Sequence, residues 1–489
     1  MPSDPQVSTP EEQGMDSGAL AEGIDFLMSN RETYRIHSVV VIRNDHVVLD
    51  AGFYPFLPEW GHDIASVTKS VTSTLVGIAI DKGYLDDVDA RVLDFFPDYT
   101  VANLDPRKRR MTLEHLLTMR SGFECDPTNS EATLTEMTAS ADWVQFTLDL
   151  PMEDEPGERR VYCSPNVHLL SAILQRATGM GTLEFARLHL FGPLGIRDVM
   201  WLTDPQGIHR GWGDLHLRPI DMTKIGFLFL NEGRWRGRQI VSSWWAEEAT
   251  TGAGQQIPGW PVGEGYSYLW YYAPDYYYAS GRGGQLIYVF PEKDLVVGFN
   301  AGDGIGDHFD IHREFLETWV LGAIESADPL PANPGAVALL DSKITEAAES
   351  IEGPPDEVGE LPALAHAISG LTYVLDPNGY GLSELRLTFP GSDEATLEVG
   401  MPEVIGGPMI EYRIGLDNIN RFTPGRHGVM TAAKGRWVSD DLFSAVIDEI
   451  GLINLWQWDV LFDGDTVALE LISLAGGELP ATITGRLAP

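Results

Sequence analysis

The chain is poor in lysine, in cysteine and in positive charge altogether. Of its 489 residues 33 are basic and only seven of those are lysine, against 72 acidic residues, for a formal net charge of −39. That balance argues against a nucleic-acid partner or an anionic membrane surface, since both call for basic patches. An acidic, lysine-poor surface keeps a protein soluble by self-repulsion. Two cysteines, Cys125 and Cys163, are too few for a disulfide framework; they can pair or both remain free. Met1 to Asn30 holds neither the basic start nor the apolar run of a signal peptide, so a cytoplasmic location is expected. No window approaches the ~20 apolar residues of a membrane span. No Gly-x-Ser-x-Gly elbow occurs, which removes the main support for an α/β-hydrolase triad. His308 and His312 are spaced like half a zinc site, yet no Glu follows His308 and no third ligand is evident. Neither a metal nor a cofactor is therefore expected.

What is present is a foldable globular chain, 44% hydrophobic and 21% charged. Its length suggests two or three domains, because single cores stop growing at about 250–300 residues. One lysine stands out. Lys69 alone has a serine three positions before it, in Ser66-Val67-Thr68-Lys69. Residues three apart on a helix are neighbours, so a hydroxyl and an amine can meet on one face. A serine hydroxyl becomes a nucleophile only with a base in reach, and a lysine serves as that base only when burial disfavours its charged form. The flank from Ile64 to Ile80 is weakly polar and then apolar, as a core segment should be. Asp63 or Ala65-Ser66 can open the helix and Gly83 can close it just beyond Lys82. Ser66 then sits in the first turn, where unpaired N–H groups favour a developing oxyanion. Taken alone the tetrad has a plainer explanation, because serine near a helix start is usually a cap.

Along the chain, Val39 to Ile42 and Val47 to Leu49 flank a polar turn, Arg43-Asn44-Asp45-His46, and read as a hairpin. Helical patterns follow at Ser66–Ala79, Leu113–Met119, Trp143–Leu148 and Val167–Thr178. Strands return at Tyr266–Tyr272, Tyr276–Ser280, Gln285–Phe290 and Leu295–Asn300. Strands at both ends and helices between them predict an α+β fold whose sheet joins early and late chain. Pro329, Pro331 and Pro334 mark a break, and the acidic Pro/Gly-rich stretch from Glu349 to Leu361 reads as a linker after a short helix. From Ala367 to Leu487 short alternating strands predict an antiparallel barrel or sandwich. The expected domains are 1–325, a helix and linker over 326–365, and a β-rich unit over 366–489.

The surroundings of the tetrad carry a resemblance. His62-Asp63-Ile64-Ala65-Ser66-Val67-Thr68-Lys69-Ser70, then Met111 to Phe123, then Pro156 to Tyr162 occur in order and together resemble the serine β-lactamase-related family. That family contains class C β-lactamases, D-Ala-D-Ala peptidases, esterases and nylon-oligomer hydrolases. Gly213 to Met222 with Gly237 to Val241, and Ser280 to Ile287, resemble the 6-aminohexanoate-dimer hydrolase branch most, and the likeness covers about residues 15–320. It implies a β-lactamase/transpeptidase-like domain, an antiparallel sheet flanked by helices plus a helical subdomain. It also implies an acyl-enzyme on Ser66, with Lys69 and Tyr162 sharing the general base and acid roles. In place of the family's Tyr-x-Asn the chain has Tyr162-Cys163-Ser164. Ser164 and Asn166 are candidates for substrate contact, though helix capping explains both equally well. The family's Lys-Thr-Gly corresponds to Ala279-Ser280-Gly281, without the cation, which disfavours β-lactams. Ser280, Gly281 and Arg282 are then substrate-binding candidates, and the N–H groups of Ser66 and Arg282 the implied oxyanion hole. Arg282 can hold a carboxylate or simply face solvent. The aromatic run Tyr266 to Tyr278 can wall an acyl pocket or pack within the sheet.

The reading that results is a serine hydrolase acting on a small amide or ester. A D-Ala peptidase or β-lactamase, and a non-catalytic binding protein on the same fold, are the alternatives. A small-molecule acyl substrate is the expected partner, homo-oligomers remain open, and the C-terminal unit has the role of a lid, a dimer surface or a stabilising barrel.

Overall fold

The computed structural model describes residues 5–489 except 127, 129–130, 253–254, 257–260, 262, 304–308, 401–408 and 476–479. The main sheet is built around the hairpin Ile36–Arg43 and His46–Gly52, turned by Asn44 and Asp45 at φ 48° and 64°. Both turn residues lie in the left-handed region that a two-residue hairpin of matching twist demands. The late strand Leu295–Ala301 pairs antiparallel with Ile36–Arg43, with Val39 opposite Phe299, so early and late chain meet as expected. Outward from there follow Gln285–Phe290, Tyr277–Gly281, Tyr271–Tyr272, Gly265–Tyr266 and Gln255–Gln256. The segment read as one strand from Tyr266 to Tyr272 is two, because Leu269 turns the chain at φ 62°.

Alternation along the central strands divides the core in two. Val40 and Ile42, with Ile287 and Val289, face one side; Val39 and Val41, with Leu286 and Tyr288, face the other. Each such side chain contributes roughly 1.5–3 kcal/mol on burial. The first side is covered by helices Val67–Asp81 and Pro219–Leu230, with Ser164–Thr178 packed against Val67–Asp81. The second is covered by Ser17–Tyr34, Phe309–Val320 and Pro334–Ala348. Helix Pro334–Ala348 therefore lends Leu340 and Ala347 to the main core rather than standing apart.

Helix Pro219–Leu230 lies unusually close to the sheet. A Cβ on Gly226 would sit 2.4 Å from Ile287, and one on Gly298 would sit 1.9 Å from the Thr223 hydroxyl. On that helix Asp221 is buried and accepts from Lys224 Nζ at 2.6 Å and Arg218 Nε at 2.7 Å.

The C-terminal sheet closes on itself. Strands Ile410–Gly415, Glu394–Gly400, Glu384–Thr388, Thr372–Leu375, Ala481–Leu487, Thr466–Ser473, Asn454–Asp463, Leu442–Glu449 and Met430–Trp437 neighbour one another in that order, and Gly415 bridges to Lys434. Alternate residues such as Leu385, Leu387, Leu397 and Leu469 fill the interior. The β-rich expectation resolves to a barrel. Among the described residues no helix is long and apolar enough to cross a membrane.

Breaking a buried ion pair from one side is costly, since the remaining charge loses its partner. Asp221→Ala should therefore lower unfolding free energy by about 3–5 kcal/mol, read as a fall in the urea midpoint at unchanged slope.

Candidate active site

Helix Val67–Asp81 is buried along almost its whole length, and Ser66 occupies its N-cap position without using its hydroxyl as a cap. Ala65 just before it is held at φ 44°, a region a residue with a Cβ rarely adopts. The Asp63 carboxylate accepts from the Ala65 N–H at 2.8 Å and steadies that bend. Ser66 itself keeps partial exposure, while Lys69 is 1% exposed. Lys69 Nζ lies 2.7 Å from Ser66 Oγ and 3.1 Å from the Trp212 carbonyl. Burial pushes its pKa down to about 8, against the opposing pull of Glu131 and Asp214. An amine so placed can lose its proton near neutrality, after which the contact reverses and the Ser66 hydroxyl donates to it.

Tyr162 reaches the same point from an irregular loop tied down on its inner side. Val161 N–H donates to Met119 O at 2.9 Å, Gly157 N–H to Arg120 O at 2.8 Å, and Cys163 is disulfide-bonded to Cys125. The two cysteines, left open by sequence, thus pair and fasten the loop bearing Tyr162 to the segment after Gly122. Lys69 Nζ is 4.8 Å from the Tyr162 ring centroid, and the Ser66 hydroxyl is close enough to act on the phenol. Burial holds the phenol well above its usual pKa, with Tyr271, Tyr266 and Glu131 adding to the effect and the Ser66 contact opposing it. Burial is the largest of these effects, and Tyr162 is protonated at neutral pH.

The sheet supplies the third wall. Strand Tyr277–Gly281 ends against Ser66, with Gly281 paired to Gln285. A Cβ on Gly281 would stand 2.8 Å from Ile64 O and 2.9 Å from Ser66 N, so only glycine permits this approach. Ser280 is partly buried and Arg282 exposed, with the charge of Arg282 acting on the Asp63 carboxyl. Burial and the nearby Asp214 raise the pKa of that carboxyl.

Ser164 and Asn166 are fully buried in the first turn of Ser164–Thr178, but neither caps it; Cys163 holds the cap position without a side-chain bond. The Ser164 hydroxyl donates to Glu131 in a short hydrogen bond. Asn166 Nδ2 points at Met119 Sδ, 4.0 Å away, and its Oδ1 has no partner among the described residues. Of the aromatic run, Tyr266 and Tyr271 flank Tyr162, whereas Trp270 packs on Phe229 and Tyr276 on Phe290 in the core. His308 lies outside the described residues, His312 packs on Phe299 at 4.1 Å, and no cluster that could hold a metal occurs among the described residues.

Two groups at the site escaped sequence reading. Glu131 acts electrostatically on Lys69, Tyr162, Tyr266 and Tyr271. It sits in no motif, and only folding brings it there. Arg160 lies 4.3 Å from the Tyr266 ring centroid and 5.9 Å from that of Tyr162; its place within the Pro156–Tyr162 motif was the available signal.

A family model described as Beta-lactamase matches residues 27–303. The chain is similar to the 6-aminohexanoate-dimer hydrolase of Paenarthrobacter ureafaciens, 25% identical over 309 residues, which cover 59% of this chain and 78% of that one. It is also similar to penicillin-binding protein 4 of Amycolatopsis lactamdurans, 27% identical over 293 residues, covering 51% of this chain and 75% of that one. In fold it is similar to the octameric penicillin-binding protein homologue from Pyrococcus abyssi, with a TM-score of 0.50 at 18% identity over 95% of this chain and 99% of that one.

The disulfide closes a long loop, and such bonds stabilise mainly by restricting the unfolded chain. Reduction, or Cys163→Ser, should cost about 2–4 kcal/mol, read as a lower melting temperature in dithiothreitol for the wild type but not for the variant.

Proposed function

This chain belongs to the Beta-lactamase family, and on that premise we propose that it cleaves a small amide or ester through an acyl-enzyme on Ser66. The observation that carries the reading is a lysine 1% exposed, with its Nζ 2.7 Å from the Ser66 hydroxyl and its pKa pushed down to about 8. In the first step neutral Lys69 takes the Ser66 proton as Oγ bonds to the substrate carbonyl carbon. Charge gathers on the carbonyl oxygen, and the N–H groups of Ser66 and Arg282 are the donors proposed to receive it. The carbonyl re-forms as the bond to nitrogen or oxygen breaks, and Tyr162, protonated at rest, donates to that leaving group. Lys69 then returns its proton to Tyr162. Water repeats the sequence on the acyl-enzyme, releasing a carboxylic acid and restoring the Ser66 hydroxyl.

The resemblance aligns Ala279 with the lysine of Lys-Thr-Gly, and Ala279 is buried opposite Ile287. A neutral side chain there favours amides and esters without a carboxylate beside the scissile bond.

Ser66→Ala should lower turnover of short acyl esters and amides by roughly 10⁴-fold or more in a panel that includes β-lactams. Residual turnover at the wild-type rate would defeat the assignment. Because the base acts unprotonated, kcat/KM should rise with pH through a midpoint near pH 8, the value to which Lys69 is pushed, and level off above it. Glu131 and Asp214 both favour the ammonium, so Glu131→Gln should move this rise to lower pH. A pH–rate profile whose rise stays in place or moves upward would remove Lys69 from the base role.

A further inference from the structure

A turn of the barrel lies beside the site. Ile450, Gly451, Leu452 and Ile453 join strands Leu442–Glu449 and Asn454–Asp463. The Gly451 carbonyl accepts from the Asp63 N–H at 2.7 Å, just ahead of Ala65 and Ser66. A Cβ on Gly451 would stand 2.6 Å from the Gly61 carbonyl, so the two backbones are in direct contact. On the other side Ile453, 4% exposed, lies against Gly283, where an added Cβ would meet its side-chain carbons at 2.7–2.9 Å. Gly283 follows Arg282 and holds φ 82°, so it tolerates no side chain without strain.

The turn is stiff. Leu452 N–H donates to Glu449 O at 2.7 Å, and the buried Glu449 carboxylate accepts two bonds from Arg426, both at 2.7 Å, and one from Asn454 at 2.8 Å. Ile450 packs with Phe56 from the other domain, and neighbouring Asp448 pairs with Arg35 at 2.6 Å. The turn is thus fixed to the barrel by a buried ion pair and to the catalytic part by an apolar contact and a second ion pair.

We propose that this turn sets the separation of the two N–H groups of the oxyanion hole, with Gly451 and Ile453 as positioning residues. One side of the turn is bonded to the segment that delivers Ser66 N–H, and the other presses on the residue after Arg282. Neither residue touches the reacting atoms; they act through the two backbone segments they hold. Displacing a catalytic donor by a fraction of an ångström is enough to slow chemistry without weakening substrate binding. The inference rests on the proposed role of Ser66, and its test separates the two.

A fluorophosphonate probe forms a phosphorus–oxygen bond to the serine, releases fluoride and leaves its phosphoryl oxygen in the oxyanion hole. The full chain is labelled, the adduct located by mass spectrometry, and the labelling rate compared with kcat and KM on an ester. Ile453→Ala and Gly451→Ala should each label Ser66 about tenfold more slowly, with kcat falling alike and KM nearly unchanged. Ile453→Val, which keeps the contact on Gly283, should stay near the wild-type rate. Leu469→Ala, a fully buried barrel residue opposite Val460 and away from the turn, is the control for general destabilisation and should label at the wild-type rate. If Ile453→Ala does not fold, Gly451→Ala decides. Wild-type labelling rates in both turn variants, or equal slowing in Leu469→Ala, would overturn the inference while leaving Ser66 as nucleophile. Failure of the wild type to label at Ser66 would overturn both.

Discussion

The contact between the buried Lys69 ammonium and the Ser66 hydroxyl, 2.7 Å long, is the constraint around which the rest of the site is arranged. A lysine driven from its ordinary pKa of 10.5 to about 8 costs the fold on the order of 3 kcal/mol. That cost is present in full below pH 8 and fades as pH rises toward the lysine's usual value, since the unfolded chain binds the proton more tightly. Only a helix enclosed on nearly all sides can impose it. The sheet provides that enclosure, because its central strands are apolar on both faces and must be covered twice. Helix Val67–Asp81 is one of the covers, with 13 of its 15 residues buried.

Enclosure has a geometric consequence at the helix start. Strand Tyr277–Gly281 must approach the backbone of Ser66, and at Gly281 there is room for hydrogen alone. Ala65 takes the strain on the other side, held at positive φ with its N–H bonded to Asp63. The site is therefore built from backbone at close quarters, with few long side chains reaching inward. The same economy is repeated where Gly283 meets Ile453 of the barrel turn and where Gly451 of that turn meets Gly61.

Local periodicity explains what could be read in advance. Ser66 and Lys69 meet because they are three apart on one helix, and the hairpin Ile36–Gly52 is legible because apolar pairs flank Asn44-Asp45. The barrel follows from alternation such as Leu385, Leu387 and Leu397, Val399. Helix Ser17–Tyr34 went unread because Gly18 and Gly23 interrupt it, although Asp16 caps it and Leu20, Ile24 and Leu27 line one face. Gly23 is where Trp319 packs, a reason that only the tertiary structure supplies. The break at Leu269 was equally hidden, because a backbone bent at φ 62° leaves no trace in an apolar and aromatic run. Glu131 and the Cys125–Cys163 pairing belong to the same class: their chemistry depends on which loops fold together, and spacing along the chain carries no record of it.

One physical effect also separates the two titratable partners of Ser66. Removing water penalises charge of either sign, so it lowers the pKa of an amine and raises that of a phenol. Lys69 and Tyr162 share a site and are displaced in opposite directions by burial, the first cause for each. In the proposed mechanism this readies the amine to accept a proton and the phenol to give one. Glu131 works on both, favouring the ammonium and disfavouring the phenolate. Its carboxylate therefore opposes burial at Lys69 and reinforces it at Tyr162. On the proposed reading, a site closed enough to make this division also has to keep its oxyanion donors in place without solvent to compensate for error, and the barrel turn lies against both backbone segments proposed to carry them.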